Sequence, residues 1–197
     1  MKIRVFIAVS LPGELKAEIG EISSSLSVRI PGVKWVPPEN LHLTLKFLGD
    51  VEEAIIPDIQ AILNQITPRY LPIICKFTGL GVFPSPRRPK VIWLGVTEGS
   101  DQLSSLAEEL SGEITQLGFK SEKRGYTPHL TLGRIKAGVG TAELRKLLRA
   151  GEENPVQCGN STRLLKINML LLQKSILTSK GAIYQTLSEH KNKGEII

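Results

Sequence analysis

The tetrapeptide His-Leu-Thr-Leu occurs twice in this chain, at His42–Leu45 and at His129–Leu132, an offset of 87 positions. The same offset lays Val5-Phe6-Ile7-Ala8-Val9 over Ile92-Trp93-Leu94-Gly95-Val96 without a gap, and both runs have the β-branched and aromatic character of buried strands. Two matches at one offset identify an internal duplication, which restricts the chain to folds assembled from two similar units. At 197 residues, each unit would hold roughly 100 residues, enough for a small sheet with helices against it.

The segments that follow each match keep the parallel. Leu15, Ile19, Ile22 and Leu26 have helical spacing and predict a helix from Leu11 to Leu26; Leu103, Leu106, Leu110 and Leu117 predict another from Asp101, the expected N-cap, to Leu117. Further helices are expected at 52–66 and 141–150, and strands at 71–80 and 164–173, so each half reads β-α-β-α-β. One more strand is expected at 182–187, followed by a frayed tail from His190. The stretch Gly-Leu-Gly-Val-Phe-Pro-Ser-Pro-Arg-Arg-Pro-Lys, 79–90, is too rich in Gly and Pro for a helix or a central strand, and marks the boundary near Ser85. The expected fold is α+β: a single bilobal domain over 1–197, with repeat 1 at about 3–84 and repeat 2 at about 90–188. Each of the two pseudo-symmetric lobes would be a mainly antiparallel β-sheet flanked by helices, with a central cleft carrying the two HxT motifs.

In a strand, alternate side chains share a face, so His42 and Thr44 point one way while Leu43 and Leu45 point the other; His129 and Thr131 repeat the pattern. Leucines belong against helices, which leaves two imidazoles and two hydroxyls for the cleft. Imidazole gives or takes a proton near neutral pH, and a facing pair makes an acid and a base for in-line displacement at phosphorus. Thr hydroxyls hydrogen-bond non-bridging phosphate oxygens, and Lys46 or Arg134 would neutralise their charge. Simple alternation puts 129, 131 and 133 on one face, so Arg134 needs a bend in its strand to reach the site. A single HxT in an apolar strand is more often structural than catalytic; the duplication is what favours the paired site, since two of only three histidines occupy equivalent positions. His190, the third, is expected to be solvated.

A metal site is the nearest competing use of two histidines, but no third histidine or carboxylate cluster accompanies them, and Asp50 and Glu52 suit a turn and a helix start. Trp35, Phe83, Tyr126 and Tyr184 are available for base stacking, although each is more often a packing residue. Arg87, Arg88 and Lys90 either line an RNA path or solvate a loop. A net charge of +6 fits an anionic partner. The apolar start Val-Phe-Ile-Ala-Val is too short for a signal peptide core and no run is long enough to span a membrane, so no membrane partner is expected. Cys75 and Cys158 form no CxxC pair, which points away from a disulfide framework and towards a reducing cytoplasm.

The segments VFIAVSLP, KWVPPENLHLTLKFLGDV, GVFPSPRRPKVIWLGV and YTPHLTLGRI together resemble the two-histidine (2H) phosphoesterase superfamily, and within it the RNA 2′,3′-cyclic phosphodiesterases formerly described as 2′-5′ RNA ligases. The resemblance runs from about Arg4 to the region of Tyr184, with both HxTL signatures intact. It implies a bilobal fold, no metal or organic cofactor, and hydrolysis of the 2′,3′-cyclic phosphate end of RNA to a 2′-phosphomonoester. It also implies a reverse reaction that joins such an end to a 5′-hydroxyl. By the same resemblance His42 is the proton donor and His129 the proton acceptor, Thr44 and Thr131 hold the phosphate, and Lys46, Arg134 and Tyr126 are further substrate-binding candidates. The expected partners are RNA with a cyclic phosphate end, such as tRNA fragments, or small cyclic nucleotides, met by a monomer. A non-catalytic RNA- or nucleotide-binding module is the alternative.

Overall fold

A computed structural model describes residues 1–121, 125–136, 142–153, 164–179 and 181–192. Strand β1 (Lys2–Ser10) leads into helix α1 (Gly13–Arg29), which buries Leu15, Ile19 and Leu26 as their spacing predicts. Short strand β2 (Val33–Trp35) and a 3₁₀ turn at Pro38–Asn40 precede β3 (His42–Glu52), and a second 3₁₀ turn at Glu53–Ile55 opens α2 (Ile56–Tyr70). Then come β4 (Ile73–Cys75), β5 (Phe77–Phe83), β6 (Val91–Val96), α3 (Ser100–Gln116) and β7 (His129–Ile135). Helix α4 (Ala142–Glu153), β8 (Leu165–Ile167), β9 (Met169–Thr178) and β10 (Gly181–Lys191) complete an α+β chain. No helix of the described residues is long and apolar enough to cross a membrane.

Seven strands form one antiparallel path in the order β10-β9-β1-β3-β7-β6-β5, and β2 adds to β7. At the middle of this path β3 and β7 meet through a single residue pair, Leu43 opposite Leu130, and these are equivalent positions of the duplication. On either side the repeats exchange strands. β5, the last strand of the first repeat, pairs with β6 of the second, and β9 of the second repeat pairs with β1 of the first. The two short strands that precede them, β4 and β8, pair with each other where the chain crosses over. A continuous apolar core under the sheet takes Leu43, Leu45, Leu130 and Leu132 from the motif strands and Ile59, Leu63, Leu106 and Leu110 from α2 and α3.

Several sequence expectations are corrected here. Gly99, not Asp101, caps α3: it is left-handed (φ 76°), and a Cβ there would strike the carbonyl of Ile74 and lie 2.8 Å from Cys75 Sγ. Strand β5 runs three residues past the expected end at 80: Gly79 is left-handed (φ 74°) at the bulge between Thr78 and Leu80, and Gly81 lies under the Trp93 ring, where a Cβ would clash. His190 is not solvated. β10 continues past the expected end at 187 and carries His190 into the interior, where its Nδ1 meets Asn64 Oδ1 on α2 at 2.7 Å and its Nε2 meets Ser188 Oγ at 2.8 Å. Buried Cys75 has its thiol pKa pushed up to about 12 by desolvation, as expected of an inert core thiol, while Cys158 lies outside the described residues. Thr141 and the tail beyond Asn192 lie outside them too.

Candidate active site

Both histidines open their strands and are held in the same way. His42 Nδ1 donates to the Asn40 carbonyl at 2.7 Å, and His129 Nδ1 donates to the Thr127 carbonyl at 2.7 Å, each acceptor lying two residues earlier. A carbonyl can only accept, so Nδ1 carries the hydrogen and Nε2 of the neutral ring presents its lone pair. The tautomer and the reactive nitrogen are thereby the same in both repeats. Thr44 and Thr131 follow on the same face, half-buried like the histidines, while the leucines between them are fully covered.

Beyond the threonines both strands depart from regular pleating at equivalent points. In β3 the partner of Ile7 is Lys46 and that of Ala8 is Thr44, so Leu45 is an extra residue; in β7 Ile92 faces Gly133 and Trp93 faces Thr131, so Leu132 is extra. Each bulge reverses the alternation. It supplies the bend that Arg134 requires, and brings the guanidinium, which simple counting places on the far face, round to the side of His129 and Thr131. The same reversal in β3 puts exposed Phe47 on the histidine side, its ring 6.0 Å from Phe6, and sends Lys46 inward. Lys46 is 3% exposed and donates from Nζ to Ser111 Oγ of α3 at 2.8 Å. The position equivalent to Lys46 is Gly133, where a Cβ would lie 2.6 Å from Val33 Cγ1; the close passage of β2 demands glycine there.

Electrostatics tie the polar groups together. Burial is the main cause that holds the pKa of His42 below the ordinary histidine value, opposed by its bond to the Asn40 carbonyl and reinforced by the charges of Lys16, Arg134 and His129. His129 is lowered first by burial, against its bond to Thr127, and then by Arg134. Arg134 thus acts on both imidazoles. Around each ring stands an aromatic pair. Phe6 and Tyr184 lie 4.9 and 5.0 Å from His42 between ring centroids, and Phe83 and Trp93 lie 4.9 and 6.1 Å from His129.

Among the residues anticipated from sequence, His42, Thr44, His129, Thr131 and Arg134 share one face of the sheet, and Phe83 and Tyr184 flank them. Lys46 and Tyr126 stand apart from the imidazoles. They line a cavity of about 470 Å³ on the α3 side of β3, and the Tyr126 hydroxyl donates to the Thr44 carbonyl at 2.9 Å, so its place in the structure is a brace between the loop before β7 and β3. Phe6, Trp93 and Lys16 were not anticipated, although the offset that lays Phe6 on Trp93 carried the signal for the first two. The basic loop is tied back to α4, with Arg145 donating to the carbonyls of Pro86 and Arg87 at 3.3 and 3.4 Å. Among the described residues no three His, Cys, Asp or Glu side chains gather as a metal site would require.

Comparison with known proteins matches the chain to one family in two segments. Residues 9–93 and 94–156 each match the model of the family described as LigT like phosphoesterase. The chain is 39% identical over 184 residues to a protein of Methanothermobacter thermautotrophicus named RNA 2′,3′-cyclic phosphodiesterase, covering 93% of this chain and 96% of that one. It is 34% identical over 188 residues to a protein of the same name from Aquifex aeolicus, covering 95% and 96%. Among solved structures, one from Thermus thermophilus superposes with a TM-score of 0.81 at 28% identity, over 98% of this chain and 100% of that one. E. coli LigT complexed with 3′-AMP superposes with a TM-score of 0.77 at 21% identity, over 98% and 99%, a likeness of fold.

Proposed function

Since the chain belongs to the LigT-like phosphoesterase family, we propose that it is an RNA 2′,3′-cyclic phosphodiesterase whose acid and base are His42 and His129. The substrate is an RNA end, a tRNA fragment for example, or a small cyclic nucleotide carrying the same group. Two pseudo-symmetric lobes of a single bilobal domain, related across the Leu43–Leu130 seam, face the cleft between the motifs. Both lobes lie in one chain, so a monomer suffices.

In the forward reaction a water oxygen bonds to phosphorus as the bond from phosphorus to the ribose 3′-oxygen breaks. His129 Nε2 takes the proton from water, and protonated His42 gives its Nε2 proton to the departing 3′-oxygen, which leaves a 2′-phosphomonoester and a free 3′-hydroxyl. Thr44, Thr131 and Arg134 hold the non-bridging oxygens as charge moves onto them. A 5′-hydroxyl RNA that takes the place of water would be joined through a 2′-5′ linkage by the same two proton transfers. No part of this sequence needs a metal or organic cofactor.

The observation that carries the assignment is the identical tethering of both imidazoles through Nδ1, which turns two Nε2 atoms from equivalent positions towards one face. Binding alone would need no such pair. The test is incubation of the protein in EDTA with a short RNA that ends in a 2′,3′-cyclic phosphate. Wild type is expected to yield the 2′-phosphate, and His42→Ala and His129→Ala are each expected to lower kcat/KM by about 1,000-fold or more, as removal of an acid or base does. Wild-type turnover in either variant would refute the acid-base roles, and binding without product in the wild type would favour the non-catalytic module.

A further inference from the structure

A substrate that ends in a cyclic phosphate leaves the reacting phosphorus in two directions: to the base of its last nucleoside, and through its 5′-phosphate to the nucleotide before. The candidate site likewise has two hollows. One, of about 240 Å³, is bounded by Phe6, Lys16, His42 and Gln173; the other, of about 410 Å³, is bounded by Lys34, Trp35, Arg134, Ala182 and Ile183. Glu39, Asn40 and Tyr184 line both, so Tyr184 stands as the partition and the two hollows meet beside His42.

The second hollow combines features that suit one further nucleotide. Its floor and sides are apolar and partly flat, with Trp35 from the β2 edge and Ile183, 57% exposed, from β10. Its rim carries two cations and one carboxylate, Glu39, at the end it shares with the first hollow. Arg134 reaches it from the catalytic face, and exposed Lys34, the cross-strand partner of Arg134, extends towards the β9–β10 turn with Nζ 3.8 Å from where a Cβ on Gly181 would lie. The wall is rigid because Asn40 Nδ2 donates to the Ala182 carbonyl at 3.1 Å while the Asn40 carbonyl holds His42. A base needs a flat apolar surface and its phosphate needs cations about one nucleotide from the reaction centre.

We propose that this groove, between the β2 edge and the β9–β10 turn, is the subsite for the penultimate nucleotide of the RNA, with its base against Trp35 and Ile183 and its phosphate facing Lys34 and Arg134. The assignment rests on the phosphodiesterase reading and deepens it: the enzyme selects at least a dinucleotide end over a single cyclic nucleotide.

The experiment compares kcat/KM for a dinucleotide that ends in a 2′,3′-cyclic phosphate with that for the mononucleoside 2′,3′-cyclic phosphate, in wild type, Lys34→Ala and Ile183→Glu. Both variants change exposed side chains. Wild type is expected to prefer the dinucleotide by about tenfold or more, the range for one stacked base, and both variants to bring the ratio towards one. Equal kcat/KM for the two substrates in the wild type, or a ratio that neither variant changes, overturns the subsite and leaves the phosphodiesterase standing. Turnover of neither substrate by the wild type overturns both. Affinities for the two product 2′-phosphates supply an independent readout: the same ratio must appear there, and must shrink in both variants.

Discussion

An imidazole pair can divide acid and base work only if one ring keeps its proton while the other has lost it. Burial and neighbouring cations hold both His42 and His129 below the ordinary value of 6.5, and Arg134 contributes to both. The profile of kcat/KM against pH is therefore expected to be a bell whose limbs belong to the pair, with its maximum on the acid side of that value. A nearby cation disfavours protonation, so Arg134→Ala should move the bell to higher pH and lower its maximum by about tenfold or more, the loss of one charge-assisted phosphate contact. Rate profiles of the two proteins from about pH 4.5 to 9 decide this; a bell that stays in place would remove Arg134 from the site. The histidines and threonines were legible in the sequence because alternation holds as far as Thr44 and Thr131. Lys46 and Arg134 were legible as candidates, but the faces they occupy were not, because each lies beyond a one-residue bulge and counting assumes regular pleating.

At the level of elements, β10 shows where composition misleads. The stretch from His190 reads as a polar tail, yet alternation along an extended strand turns His190 towards α2 and Glu189 away from it, and the hydrogen bonds to Asn64 and Ser188 satisfy the buried ring. His190→Ala is expected to cost about 2 kcal/mol at pH 7.5, since it leaves the Asn64 amide without its partner. Burial lowers the pKa of His190, so the unfolded chain binds a proton more readily than the native one. Its contribution to stability is present above about pH 6.5, the unfolded value, and is lost as pH falls through the lowered native value. Urea unfolding at pH 7.5 and at pH 5 measures both effects: the variant should be weaker at the higher pH and lose less between the two. A variant as stable as wild type at pH 7.5 would dismiss the clamp. Helices α1 and α3, in contrast, were readable to within three residues of their ends from leucine spacing, because a helix face is a local pattern, whereas α2 begins four residues later than expected because β3 runs on to Glu52.

On the scale of the molecule, which strand pairs with which was not legible. Periodicity reports that a segment is a strand and says nothing of its neighbour, so contiguous halves were the natural expectation. The exchange of β5 and β9 makes each half depend on the other for the outer strand of its sheet. Fragments 1–85 and 86–197 made separately are expected to be largely unfolded by circular dichroism and to regain structure on mixing; either fragment folding alone would contradict it. The same exchange bears on how such a site arises. One repeat lacks the outer strand of its own sheet, whereas two copies of one repeat contain every strand from β3 and β7 outward to β5 and β9. A half-length chain of this pattern closes only as a swapped pair, and its two imidazoles are then the same residue in the same surroundings. Joining the copies in one polypeptide removes that constraint. Lys16 lowers the proton affinity of His42 and is not among the charges that act on His129, so the two imidazoles no longer share one environment; taken alone this charge favours the base role at His42, and the negative charge of bound phosphate must restore the proton that its acid role needs. The duplication is in this sense a means of breaking symmetry: it turns one histidine used twice into two histidines free to specialise.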